Sequence, residues 1–164
     1  FKALKILELL KSRGVVHNDI KFENFIVSSE YPFDIILTDF ESADMVNDQN
    51  KTTLIGGTSI FKSPEVLRGE SHDYETDIWS LGVCLFYHLC YEYPYEIKNE
   101  ENGLSFEPLI IEKITSNEIK KKKDYSLSDN AWECLMAMLE KDPSKRITVE
   151  DALQLSWFQS INDS

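Results

Sequence analysis

Residues 2–13 place Ala3, Ile6, Leu7 and Leu10 at helical spacing, and Gly14 follows as a stop. Two short β-prone runs, Phe25–Val27 and Ile35–Leu37, flank the turn-rich Ser28–Pro32, a pattern that predicts a small hairpin. From about Glu41 to Lys62 the chain turns polar and carries the adjacent Gly56 and Gly57; a loop of that length inside a domain is usually functional or disordered. Ser63-Pro64-Glu65 reads as a helix start, with a Ser cap, Pro at the first helical position and an acid in the first turn, and Gly69 ends it. Thr76–Tyr91 is apolar on every side, through Ile78, Trp79, Leu81, Val83, Leu85, Phe86, Tyr87 and Leu89. A helix of that kind, too short for a membrane, belongs in the middle of a core. Residues 98–105 read as a loop, and helices are predicted near 107–118, 129–140 and 149–156, the last opened by a capping-box pattern of Thr148 and Asp151. There is no internal repeat. The predicted fold class is mainly α, a bundle of helices around one buried helix with a small β-hairpin near its start.

Composition narrows the setting. The 164 residues suit one domain, and 42% hydrophobic with 28% charged residues excludes a disordered tail or a collagen. A chain of this size buries roughly 68–70% of its unfolded surface, so the core needs no disulfide or metal. A net charge of −12 repels phosphate backbones, which makes nucleic acid an unexpected partner. No apolar stretch approaches the roughly 20 residues of a membrane span. Lys2, Lys5, Glu8 and Lys11 interrupt the N-terminal run, which does not read as a signal peptide. Three cysteines without a C-x-x-C pair fit buried thiols in a reducing compartment, so an intracellular, cytoplasmic protein is expected.

Candidate chemistry concentrates in two places. In His17-Asn18-Asp19-Ile20-Lys21-Phe22-Glu23-Asn24, between the first helix and the first strand, an Asp, a Lys and an Asn face one point in a loop. They offer a carboxylate to orient a hydroxyl, a cation for a transferring phosphoryl group and an amide ligand for Mg²⁺. The plain alternative is a polar loop with a turn Asp and Asn. At the end of the second strand comes Thr38-Asp39-Phe40-Glu41, whose Asp39 either caps or binds the same metal from the other side. Together the two segments bracket a hairpin in the order of a phosphotransfer site.

Residues 17–27 and 38–41 resemble the catalytic and metal-binding loops of protein kinases, whose usual patterns are H-R-D-L-x-x-x-N and D-F-G. Downstream, Gly57–Glu65 is similar to the end of that family's activation loop, with Ser63-Pro64-Glu65 in place of A-P-E. Asp77-Ile78-Trp79-Ser80-Leu81-Gly82 resembles the start of its central buried helix, and Asp142–Thr148 the late loop whose Arg pairs with the A-P-E glutamate. The resemblance covers essentially the whole chain, in order. It implies transfer of the ATP γ-phosphoryl group to serine or threonine hydroxyls of protein substrates. On that reading Asp19 orients the hydroxyl and accepts its proton, and Lys21 steadies the phosphoryl oxygens. Thr58 ties Asp19 to Lys21, and Asn24 and Asp39 hold Mg²⁺, so that Lys21, Asn24 and Asp39 together contact the nucleotide. Lys21 and Gly57-Thr58 match the serine/threonine-specific members. The texture of Pro64–Leu67 and Asp142–Phe158 is similar to the calcium/calmodulin-dependent group.

No G-x-G-x-x-G loop or V-A-I-K lysine precedes residue 17. The resemblance therefore implies that residues 1–164 are the C-terminal lobe, without the N-terminal lobe through which ATP is held, and that they are inactive alone. Its departures leave two alternatives. Asn18 stands where Arg is usual, and Glu41 stands where D-F-G has Gly, costing roughly 1–2 kcal/mol if that position needs φ > 0. His-Asn-Asp with Asp-Phe-Glu is also similar to choline-kinase-like small-molecule phosphotransferases. A pseudokinase lobe that scaffolds partners is the non-enzymatic alternative. The remaining features read plainly: Cys84, Cys90 and Cys134 as packed thiols, His88 as a core histidine, His72 as a loop residue, Lys120–Lys123 as a solvated run and Glu65 with Arg146 as a buried structural pair.

Overall fold

The computed structural model describes residues 1–47, 49, 51–95, 106–120 and 125–159. The predicted loop at 98–105 and Lys121–Lys123 lie outside the described residues. Helix α1 (Lys2–Ser12) buries Leu4, Leu7 and Leu10. Ala3 and Ile6 lie at the edge of that stripe, half-buried. Strand β1 (Val15–Val16) follows, then a 3₁₀ turn at Phe22–Asn24 and the hairpin β2 (Phe25–Glu30) and β3 (Phe33–Leu37). The hairpin is longer than its two hydrophobic runs suggest, pairing Phe25 with Leu37 and Glu30 with Phe33 across an irregularity between Val27 and Ser29.

A second small sheet appears inside the predicted polar loop. Strand β4 (Asp44–Met45) pairs antiparallel with β1, Val15 opposite Met45 and Val16 opposite Asp44. Two-residue strands carry too short a pattern to be seen as strands in sequence. The loop then passes a 3₁₀ turn at Ser59–Phe61 into helix α2 (Pro64–Leu67). Pro64 is at its start as expected, but Ser63 does not cap it: the buried Ser63 hydroxyl is 2.7 Å from the Thr76 hydroxyl instead.

Helix α3 (Glu75–Cys90) is the axis of the fold. Its Ile78 and Leu81 join a core made with α1, α5 (Asp129–Met138) and α6 (Val149–Leu153), through Leu4, Leu7, Met138 and Ala152. Trp79, Val83 and Phe86 face a second core with Ile110 and Ile114 of α4 (Phe106–Ser116) and with Leu135. One helix thus divides two hydrophobic clusters, as an element without a polar face must. Gly82 allows the close approach to α5, since a Cβ there would lie 3.0 Å from Met138 Cβ and 3.1 Å from a Leu139 methyl. Burial ends before the helix does: Tyr87 and His88 are exposed, so His88 is not the core histidine expected from its position. Its ring instead meets Phe22 edge-on at 5.7 Å. Of the three thiols, Cys84 and Cys134 are buried and Cys90 is half-buried.

The predicted last helix is two, α6 and α7 (Ser156–Gln159). The Thr148 hydroxyl accepts the Asp151 N–H at 3.2 Å and donates to its carboxylate at 2.9 Å, the expected cap. Beneath α2 the Arg146 guanidinium meets Glu65 in a bidentate pair at 2.6 and 2.9 Å. It also donates to the Glu140 and Glu75 carbonyls and lies over the Trp79 ring, 5.1 Å from its centroid.

Candidate active site

The loop that carries Asp19 hangs from the first turn of α3. The fully buried Asp77 accepts the His17 N–H at 2.7 Å and the Asn18 N–H at 2.9 Å, one on each oxygen. Burial pushes its carboxyl up to about 7, against those two bonds. His17 is locked by its surroundings: Nδ1 accepts the Asp19 N–H at 3.3 Å, so Nε2 carries the hydrogen and donates to the Thr38 carbonyl at 3.1 Å. Burial lowers the pKa of this imidazole, in keeping with a neutral ring that packs edge-on against Phe40 at 4.8 Å.

Four of the five candidate residues meet on the Asp19 carboxylate. Oδ2 accepts Lys21 Nζ at 2.6 Å and Asn24 Nδ2 at 3.3 Å. Oδ1 accepts the Thr58 N–H at 3.0 Å and the Thr58 hydroxyl at 3.2 Å. Lys21 Nζ in turn donates to Thr58 Oγ1 at 3.3 Å, so Thr58 touches both members of the pair. Burial works against the Asp19 charge, but Lys21, the Thr58 N–H and Asn24 outweigh it and hold the carboxyl below its ordinary range. The bond to Asp19 raises Lys21 correspondingly. Charge-assisted bonds of this kind keep both groups ionised.

Asn24 also donates from Nδ2 to the Asp19 carbonyl at 2.8 Å, which commits its amide nitrogen and turns its oxygen the other way. Its own carbonyl accepts both the N–H and the hydroxyl of Thr38, at 2.9 and 3.1 Å. That clamp sets the end of β3 beside the loop and places Asp39, exposed, close enough for its charge to act on His17 and Lys21.

The backbone strain lies elsewhere than expected. Glu41 is not among the residues with positive φ; Asn18 (64°) and Asp39 (63°) are. Glutamate at position 41 therefore carries no left-handed penalty, while Asn and Asp, the side chains that best tolerate that region, occupy the two positions of the site that need it. Gly57 (φ 76°) closes the site from the other side. A Cβ there would fall 2.1 Å from the Asn18 carbonyl oxygen, so only glycine lets Thr58 reach Asp19.

Sequence reasoning passed over one participant. His72 is buried, not a simple loop residue, and its Nε2 lies 3.1 Å from Asn18 Oδ1. Nothing in the local pattern of Glu70-Ser71-His72-Asp73 announces this; the partner is 54 residues away.

The fold thus gathers a loop carboxylate bridged to a lysine, an amide beside it and, at the end of a hairpin, a second carboxylate. The chain belongs to the protein kinase family: the model of the protein kinase domain matches residues 2–158. Its relatives are serine/threonine kinases, calcium-dependent ones among them. It is 32% identical over 98% of its length to a "Probable myosin light chain kinase" of Dictyostelium discoideum, covering 32% of that protein. It is likewise 32% identical over 98% of its length to CDPK-related kinase 5 of Arabidopsis thaliana, covering 26% of it. With serine/threonine-protein kinase 33 of Bos taurus it shares 31% identity over 90% of the chain and 31% of the relative. The chain thus spans about a third of the length of the curated relatives it matches. No described helix is long and apolar enough to cross a membrane.

Proposed function

We propose that this chain is the C-terminal-lobe part of a protein kinase that transfers the γ-phosphoryl group of ATP to serine or threonine hydroxyls of proteins. The observation that carries the reading is the Asp19 carboxylate, kept ionised by Lys21 and the Thr58 N–H. Asp19 accepts the proton of the substrate hydroxyl as its oxygen bonds to the γ-phosphorus and the bond from that phosphorus to the β-phosphate oxygen breaks. Lys21 neutralises charge on the transferring oxygens, and Thr58 keeps carboxylate and ammonium in register.

The donor set fits Mg²⁺. Asn24 has its nitrogen committed to Asp19 and its amide oxygen left as a hard donor, and Asp39 offers an exposed carboxylate. One amide oxygen and one carboxylate suit a cation that keeps water and phosphate oxygens as its other ligands. Held by Asn24 and Asp39, the ion would supply positive charge against the phosphate oxygens.

The test uses the full-length protein containing these residues, incubated with labelled ATP and either a protein substrate or choline. Asp19→Asn should lower transfer to the protein by about 10²–10⁴. Full activity in that variant would remove Asp19 from the mechanism, and transfer to choline alone would assign the site to small molecules.

A further inference from the structure

Position 18 is where the usual motif has Arg, and here Asn18 fills it in a left-handed backbone conformation. Its side chain is used from both ends. Nδ2 donates to the Ser42 carbonyl at 3.1 Å, which fixes the amide orientation and leaves Oδ1 facing His72 Nε2 at 3.1 Å. The bond therefore requires the hydrogen on that nitrogen, so His72 donates and Asn18 accepts. The ring's other nitrogen lies 3.2 Å from the Glu70 carbonyl.

The backbone of His72 holds a second segment. Its N–H and C=O pair with the C=O and N–H of Thr52 at 2.9 and 2.8 Å, an isolated antiparallel bridge. Thr52 is itself buried; its hydroxyl donates to the Asp44 carboxylate on β4 and accepts the Leu54 N–H at 3.1 Å. Ser42 closes the circuit, its hydroxyl accepting the Gly57 N–H at 3.3 Å next to Thr58. His72 thus bonds the loop of Asp19 through its ring, at Asn18, and the 41–58 segment through its backbone, at Thr52, while Asn18 itself holds Ser42.

We infer that His72 is a positioning residue: through Asn18 and Thr52 it holds Ser42 and residues 51–58 against the catalytic loop, so that Thr58 reaches Asp19. This rests on the kinase reading only for its effect on rate; the ordering of the segment is independent of it. An Asn cannot make the bidentate charged contact that an Arg offers a phosphate. Here the same position serves a donor supplied by the chain itself.

The test compares His72→Phe and His72→Gln with the parent, in the full-length protein, by amide hydrogen exchange and by kinetics. His72→Phe keeps the bulk and loses the donor, whereas His72→Gln retains an N–H donor. His72→Phe should speed exchange across 51–58 and lower kcat, each by about tenfold, with KM for ATP unchanged and exchange in α5 unaffected. Gln should recover most of both. Equal protection in His72→Phe and the parent overturns the inference, and so does equal damage by Phe and Gln, which would leave His72 a packing residue. Should His72→Phe unfold, seen as exchange throughout α5, His72→Leu, a smaller side chain that likewise lacks the donor, takes its place with the same two outcomes. If Asp19→Asn proves as active as the parent, the kinase reading fails and exchange alone decides the role of His72.

Discussion

Two acid–base pairs in this molecule use the same chemistry to opposite ends. Arg146 and Glu65 are enclosed, with side chains 0% and 2% exposed, and every remaining direction is filled by backbone carbonyls and the Trp79 ring. Lys21 is half-buried, its side chain 21% exposed, and it covers an Asp19 carboxylate that is itself only 8% exposed, with Thr58 shared between them. A planar guanidinium matches a carboxylate at two points and fixes it. An ammonium on a flexible stem can leave one oxygen for another. Enclosure makes the first pair a strut between α2 and the loop after α5. The second pair, whose lysine is partly open to solvent, is worth less to the fold.

The comparison can be broken most sharply by exchanging the readouts. Lys21→Met in the full-length protein should lower phosphoryl transfer by about 10²–10³ while changing the free energy of unfolding by less than about 1 kcal/mol. A large loss of stability with normal turnover would reverse the assignment. Arg146→Ala should do the opposite to stability, costing about 3–5 kcal/mol in denaturant melts, because Glu65 is left buried and uncompensated. A shift of a few tenths would mean that water reaches that pair freely.

A smaller effect separates the acids in the first turn of α3 from the site. Burial first, and the neighbouring Asp73 carboxylate second, raise Glu75 from 4.5 to about 7. The folded chain then holds a proton that the unfolded chain has released. The contribution of this group is complete below its unfolded pKa and is lost as pH rises through about 7. Asp77, also raised to about 7, acts in the same sense, whereas the lowered His17 opposes both. Glu75→Gln should flatten the fall of the melting temperature across that window, and an unchanged slope would discard the shift. The smallest effect is expected at Thr53, which is exposed beside the buried Thr52. Thr53→Ala, or phosphatase treatment, should leave turnover unchanged; a loss of about tenfold would show that a cation does receive a phosphate there.

Much of this was legible because the groups concerned are neighbours in the chain. Asp19, Lys21 and Asn24 fall within six positions, and a loop that short can face them only a few ways. The cap of α6 and the apolar run of α3 are equally local. His88 and His72 were misread for a common reason. A helix pattern says which element a residue is on, but not where its neighbours stop covering it, and a loop pattern does not say what folds over the loop. Strand β4 and the Ser63–Thr76 contact also exist only because distant segments meet.

The amino-acid order alone determined which reactive groups this protein has, their spacing, and which helices bury a stripe, since these depend on interactions spanning a few residues. Tertiary structure decided which of those groups share a proton or a hydrogen bond. It set Thr58 on Asp19 across 39 positions and His72 on Asn18 across 54. It also moved the left-handed backbone from Glu41 to Asn18 and Asp39. Such contacts are made only when the whole core closes around α3, because the carboxylate of Asp77 that suspends the loop is itself part of that core.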